Sequence, residues 1–332
     1  MPRLRTVSPA TKGLTRRRAG RGFVYLDHDG VRVVEEAVIE RIRSLAIPPA
    51  WNDVWICPFP NGHIQAVGTD DAGRRQYLYH QQWRIKRDKM KFDRVLRAAE
   101  RLPAVRQAIT RDLGLEGMPL ERADAVAVRL LDLGYFRIGS DIYADTNGSF
   151  GLTTLERRHV RKQRDRLLFK FIGKSGIEHS IEIDDPEVLV ALDSLRRRRG
   201  GTERLLAYQE ARQWRDLDGS AVNTYLSGLL EELTAKDFRT WHATVLAAAA
   251  LAASEEPGDT KGSKRRAVRA AVEEVAQYLG NTPTIAKNSY IDPRVIDLYE
   301  NGTTIDPAIL TRHRSPATRQ RALEKAVLEM LR

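Results

Sequence analysis

The hydrophobic periodicity of this chain changes near Gln81, and that change splits it into two kinds of architecture. Between Gly22 and about Tyr79, short alternating stretches (FVYLD, GVRVV, VWICPF, HIQAVG, RRQYLYH) are separated by HDG, PNG and DAG turns. A side chain every second residue on one face describes strands with one buried side. One helical piece, EEAVIERIRSLA, interrupts them and ends before Pro48-Pro49. From WRIKRDKMKFDRVLRAAERL onward apolar residues recur at helical spacing, with charge on the remaining positions. The exception is residues 167–183, where Phe169, Phe171, Ile177, Ile181 and Ile183 alternate around GKSG, the pattern of a β-hairpin. The expected fold class is therefore α+β: a small antiparallel sheet domain over 22–85, then a larger, mainly helical domain over 86–332 that contains a hairpin.

Charge narrows the partner. The 332 residues carry a net charge of +11, and Arg3, Arg5, Lys12, Arg16, Arg17, Arg18 and Arg21 stand in the first 22 residues without one acid. Such a balance favours an anionic polymer, and residues 1–21 are expected to be a mobile leader that tracks phosphates. The single cysteine, Cys57, excludes an intrachain disulfide and fits a reducing cytoplasm. The N-terminus has positive charge but no apolar stretch after it, unlike a secretory signal, and the mostly alanine run from Val245 to Ala253 is too short to span a bilayer. No GxxxxGK[ST] nucleotide loop and no Cys/His cluster occurs, so neither a cofactor nor a metal is expected.

Four side chains carry the chemistry. Arg137 sits in an apolar pentad of GYFRIGSDIY, where a guanidinium is costly unless an anion or an acid meets it. Lys174 occupies the hairpin turn, ordinarily just a wet position. Arg239 lies early in a helix that Thr234 and Asp237 cap weakly, where a solvated arginine is common. Tyr290 follows Thr282-Pro283, an N-cap and first-turn proline, and beside Ile291 it reads first as core. Taken together, two permanent cations, an ammonium and a phenol are the groups that metal-free transfer of a phosphodiester needs. The arginines stabilise the charge spread over the equatorial oxygens, the tyrosine attacks, and the lysine protonates the leaving sugar oxygen.

These segments closely resemble the type IB DNA topoisomerases, specifically small bacterial enzymes similar to the poxvirus ones. In the N-terminal half the resemblance rests on IPPAWNDVWICPFPNGHIQAVGTDDAGRRQYLYH, and in the C-terminal half on LGYFRIGSDIY, GLTTLERRHV, IGKSG, KDFRTWHA and LGNTPTIAKNSY. It implies that Arg137 and Arg239 are the catalytic arginines, Lys174 the general acid and Tyr290 the nucleophile. A fifth position, histidine in the poxvirus enzymes, is Asn281 here. Its amide can donate to a non-bridging oxygen but cannot become a cation, so rate should depend less on an imidazolium at position 281. The resemblance further implies DNA contacts at Gln76, Tyr77 and Tyr79 in the sheet domain and at Tyr143 and Thr154 in the helical one. Strand alternation lets only one face of 76–79 point toward DNA. It also implies a cytoplasmic, nucleoid-associated monomer whose two domains form a clamp on double-stranded DNA, with a 3′-phosphotyrosyl intermediate and resealing without ATP.

Two other readings share parts of this pattern. A tyrosine recombinase uses the same chemistry but carries His-x-x-Arg at the second arginine, where Lys236 stands here, and lacks this N-terminal domain. A non-catalytic nucleoid-binding protein would suit the basic charge equally well.

Overall fold

The computed structural model describes residues 3–133, 136–139, 148–254 and 260–332. The chain divides into two compact units, Met1–Phe92 and Asp93–Arg332.

The first unit is built on a five-stranded antiparallel sheet of β1 (Leu14–Ala19), β2 (Gly22–Leu26), β3 (Asn52–Ile56), β4 (Ile64–Thr69) and β5 (Arg75–Tyr79), in the order β2-β1-β3-β4-β5. One helix, α1 (Glu36–Ser44), joins β2 to β3. Alternation along β3 feeds two cores. Val54 and Ile56 pack with Ile42 and Ala66, while Trp55 and Cys57 pack with Ile64 and Val67.

The basic leader, expected to be mobile, does not behave as one. Leu14–Ala19 form β1, paired with β2 from Thr15↔Leu26 to Ala19↔Gly22 and with β3 at Leu14↔Ile56. GVRVV, read as a strand, contributes only an isolated bridge, Leu26↔Arg32. Residues ahead of β1 are tied down as well: Trp55 Nε1 donates to the Thr11 carbonyl at 3.0 Å and the Val7 amide donates to His63 Nδ1 at 3.1 Å. Arg16 donates to the carbonyls of Ile47, Pro48 and Trp51, so one of the leader's cations pins the diproline loop. Charge density suggested solvation, but pairing with strands distant in sequence satisfies the backbone better.

A long helix, α2 (Gln81–Leu113), runs across the boundary between the units. The second unit continues with α3 (Leu120–Asp132), then the three-stranded sheet of β6 (Val160–Gln163), β7 (Arg166–Ile172) and β8 (Glu178–Ile183) in the order β6-β7-β8. Next come α4 (Pro186–Arg197), the hairpin β9 (Ala207–Glu210) and β10 (Gln213–Asp216), and α5 (Gly219–Leu229). The helices α6 (Ala235–Ala252), α7 (Lys261–Leu279), α8 (Pro283–Ser289), α9 (Pro293–Glu300), α10 (Ile309–Arg312) and α11 (Pro316–Leu331) complete it. One apolar core runs through this unit and includes Phe136, Phe169, Phe238, Ala247 and Val275. The alanine-rich run is thus a core helix, and no described helix is long and apolar enough to cross a membrane.

A buried ion cluster ties the ends of this unit together. Arg106 on α2 donates to both oxygens of Asp132 on α3 (2.7 and 2.9 Å) and of Glu324 on α11 (2.7 and 2.9 Å). Burial opposes the charge on Asp132, but His242 and Arg106 overcome it and hold the carboxyl far below its usual range. His242 lies one turn beyond Arg239 on α6, so the cluster braces the helix that carries that arginine.

Because β1 lies between β2 and β3, deleting residues 1–19 is expected to unfold the first unit. Amide hydrogen exchange is the check: protection in β3–β5 should vanish, and retained protection would show that the sheet stands without its leader.

Candidate active site

The site forms around the C-terminal end of α7. Gly280 adopts the left-handed conformation (φ 59°, ψ 50°) that glycine allows at no steric cost. The Asn281 amide donates back to the Ala276 carbonyl at 2.9 Å and the Gly280 amide to the Gln277 carbonyl at 3.1 Å, a Schellman closure. This leaves the last carbonyls of the helix pointing outward at the negative end of its dipole.

Both arginines come to those carbonyls. Arg239, only 4 % exposed, donates to the Leu279 carbonyl at 2.7 Å. Arg137 donates to the Gly280 carbonyl at 2.8 Å and to Asn281 Oδ1 at 2.7 Å. Among the described residues neither guanidinium meets a carboxylate, so the readings of Arg137 as an internal salt bridge and of Arg239 as a solvated helix arginine do not hold. Burial, joined for Arg239 by repulsion from Arg137, lowers both pKa values, though a guanidinium stays protonated at working pH. Two donors in the group are left without partners: Arg239 Nε and Asn281 Nδ2 are buried and unbonded. Two cations and two orphan donors thus stand at this helix end, groups whose chemistry suits an anion.

Local sequence explains each placement. Arg239 lies in the first turns of α6, where the Thr234 amide and hydroxyl both donate to Asp237 Oδ2 at 2.9 and 2.8 Å. Arg137 is fixed from both sides. Phe136 is buried edge-on against Phe169 and stacked on Phe171 of β7, while the Leu152 amide donates to the Arg137 carbonyl at 2.7 Å.

Tyr290 closes α8, which begins as expected with Thr282 accepting from the Ile285 amide and Pro283 in the first turn. Ile291 is fully buried, and the Thr244 hydroxyl on α6 donates to the Tyr290 carbonyl at 3.3 Å. The tyrosine ring is half-buried with the Arg239 guanidinium 5.4 Å from its centroid. Burial pushes the phenol pKa up, but the cations Arg239 and Arg137, with an Arg239 hydrogen bond and Lys236, outweigh it, and the net shift is downward. Lys236 escaped the sequence reading as a site residue. Its Nζ lies 6.0 Å from the Tyr290 ring, and its i−3 position to Arg239 on one helix face was the available signal.

The structure thus brings together Arg137, Arg239, Asn281 and Tyr290. Lys174 is placed differently, exposed in the tight turn between β7 and β8, where Ser175 (φ 65°) and Gly176 (φ 74°) are left-handed. Among the described residues it makes no hydrogen bond or ion pair.

The expected DNA contacts divide. Tyr77 and Tyr79 share one face of the edge strand β5 with rings stacked at 6.0 Å, and Tyr77 is 44 % exposed. Gln76 points to the other face, where its amide donates to Asp70 Oδ2 at 2.9 Å. Thr154 needs correction as a surface contact. It is buried, and its hydroxyl accepts from the Gly151 amide at 2.8 Å and donates to the Gly151 carbonyl at 3.0 Å, closing the turn that holds Arg137. Tyr143 lies outside the described residues. Among the described residues no group of His, Cys, Asp or Glu is arranged to hold a metal ion.

Comparison with known proteins gives the family. Residues 80–303 match the family of the eukaryotic DNA topoisomerase I catalytic core, and residues 22–70 match the bacterial DNA topoisomerase IB N-terminal domain. The first match spans well over half of the chain, which therefore belongs to the type IB DNA topoisomerases, enzymes of the isomerase class. The DNA topoisomerase 1B of Acanthamoeba polyphaga mimivirus is 29 % identical over 92 % of this chain and 91 % of its own length. That of vaccinia virus is 22 % identical over 72 % and 74 %, respectively. DNA topoisomerase 1 beta of Arabidopsis thaliana is 28 % identical over 60 % of this chain, which spans only 21 % of that longer protein.

If the paired cations act on the phenol, Tyr290 should ionise below the value of about 10 of a free tyrosine. Carbon-13 NMR of labelled tyrosines should show this, with the titration moving back up in Arg239→Met. Ionisation of Tyr290 at or above the ordinary value would mean that burial dominates and the cations do not act.

Proposed function

We propose that this protein relaxes positive and negative supercoils in double-stranded DNA by cutting and resealing one strand through Tyr290. The observation that supports the reading best is the pair of guanidiniums, Arg137 and Arg239, that converge beside a phenol and, among the described residues, meet no carboxylate. In water-poor surroundings such a cation pair favours an anion strongly, and more so as charge builds on a five-coordinate phosphorus.

In this reading the scissile phosphate replaces the carbonyls of Leu279 and Gly280 as the arginines' acceptor, and Asn281 Nδ2 and Arg239 Nε donate to its non-bridging oxygens. The Tyr290 oxygen attacks phosphorus and releases its proton to solvent, aided by a pKa already lowered. The bond to the 5′-oxygen breaks, and that oxygen takes a proton from the Lys174 ammonium. One phosphoester has replaced another, so no energy source is needed to reverse the steps after the free end has swivelled. The 3′-phosphotyrosyl polarity follows the family reading. The strand face carrying exposed Tyr77 beside half-buried Tyr79 supplies duplex contacts from the first unit, and the protein acts as a nucleoid-associated monomer.

Plasmid relaxation in chelator and without ATP tests the whole. A ladder of relaxed circles from a single supercoiled species is expected. Unchanged linking number would indicate a DNA-binding protein, and activity only on paired sites would indicate a recombinase. Tyr290→Phe should keep DNA binding yet yield no adduct, and a covalent complex trapped by denaturant in that variant would remove the assignment.

For Lys174→Ala, cleavage at an ordinary 5′-oxygen should fall by about 10²–10⁴, the usual contribution of a positioned acid. A 5′-bridging sulfur, which leaves without a proton, should restore most of the rate. No restoration would deny Lys174 the role of acid.

A further inference from the structure

His179 on β8 occupies a place that no part of the chemistry above uses. Its ring stacks on Phe171, its cross-strand partner, at 5.0 Å and 18°. On one side it presses on Gly173, the residue before Lys174: a methyl there would lie 2.6 Å from both Cδ2 and Nε2. On the other it presses on Gly280, the residue before Asn281, where a methyl would lie 2.9 Å from Cε1. Gly280 needs to be glycine for its left-handed backbone, but Gly173, at φ −92° and ψ −168°, does not. The imidazole is what excludes a side chain at 173. One ring therefore touches the backbone flanking Lys174 and the backbone whose carbonyl holds Arg137.

We propose that His179, as a neutral imidazole, is a positioning residue that docks the turn carrying Lys174 onto the Gly280–Asn281 end of α7, and that its protonation releases that turn. The inference rests on the strand-transfer reading above. It supplies a tether to the helix end for a lysine whose turn is exposed and which makes no hydrogen bond or ion pair among the described residues.

The charged groups around the ring agree with a neutral state. Arg137 faces it from the loop after α3 and Arg239 from α6, both cationic. The α7 end contributes only glycine and asparagine, and its own hairpin adds Glu178 and Lys174, both exposed. Burial first, then the two arginines, lowers the His179 pKa. A proton added there would be a further cation beside the two arginines, and the hairpin's own carboxylate, Glu178, is exposed to solvent. As pH falls through the His179 pKa, below the ordinary value of about 6.5, the docked hairpin should loosen. An acid-side loss of rate confined to the oxygen substrate then belongs to position 179, because ionisation of Tyr290 acts on both substrates alike and Asn281 does not titrate.

The test uses the full chain in single-turnover cleavage of one labelled duplex, made with either an ordinary 5′-oxygen or a 5′-bridging sulfur at the cut. His179→Ala and Gly173→Ala, the second of which displaces the ring from outside, should slow oxygen cleavage by about tenfold to a hundredfold, a fraction of the acid's full contribution. Sulfur cleavage should stay within a few-fold of the parent, which also certifies a folded site. His179→Phe, flat but without a proton, should lose the acid limb of the oxygen profile. Equal slowing on both substrates in all three variants, or an unchanged acid limb in His179→Phe, overturns the role. If the parent chain forms no adduct with either duplex, the strand-transfer reading itself falls and takes this inference with it. If the parent cleaves both, only the histidine is on trial.

Discussion

Two guanidiniums held at one helix end, with no acid between them among the described residues, govern the rest of this site. Like charges at short range in a protein interior repel by several kcal/mol, and each group has also lost water. The fold keeps them together with carbonyls: those of Leu279 and Gly280 face outward because the Schellman closure at Gly280 turns the chain away. Carbonyl dipoles satisfy the N–H groups but cannot cancel the charge, and Arg239 Nε and Asn281 Nδ2 still lack acceptors. A phosphate can do both.

The surrounding structure serves to hold that unfavourable arrangement rigid. Phe136 anchors Arg137 in the aromatic group with Phe169 and Phe171, and the inward-turned Thr154 closes the facing turn. Arg239 rides on α6, which is capped by Asp237 and braced near His242 by the Arg106–Asp132–Glu324 cluster. The same helix reaches Tyr290 through Thr244, so the phenol and its cation are fixed to one element. In the proposed reaction, rigid support of this kind would let binding favour the transition state over the resting phosphate.

What could be read from the sequence was local. The change of period at Gln81, the Thr234–Asp237 cap, the Gly280 stop and the hairpin around GKSG are written within a few adjacent residues, and each appears where expected. Features that depend on distant partners were not legible. Seven cations among 22 residues look solvated, yet Leu14 and Thr15 pair with β3 some 40 residues away and Arg16 binds three carbonyls of the diproline loop. The hydroxyl of Thr154 looks available in GLTTLE but is spent on Gly151. Likewise, nothing near His179 in sequence announces that Gly280 will lie against its ring.

In the proposed reaction the phenol of Tyr290 takes the broken strand while Arg137 and Arg239 hold the phosphorus. Digesting a denaturant-trapped complex and locating the nucleotide by mass spectrometry tests it most directly. A 3′-linked nucleotide is expected on the peptide containing Tyr290. A nucleotide on any other residue, or joined through its 5′ end, would contradict it.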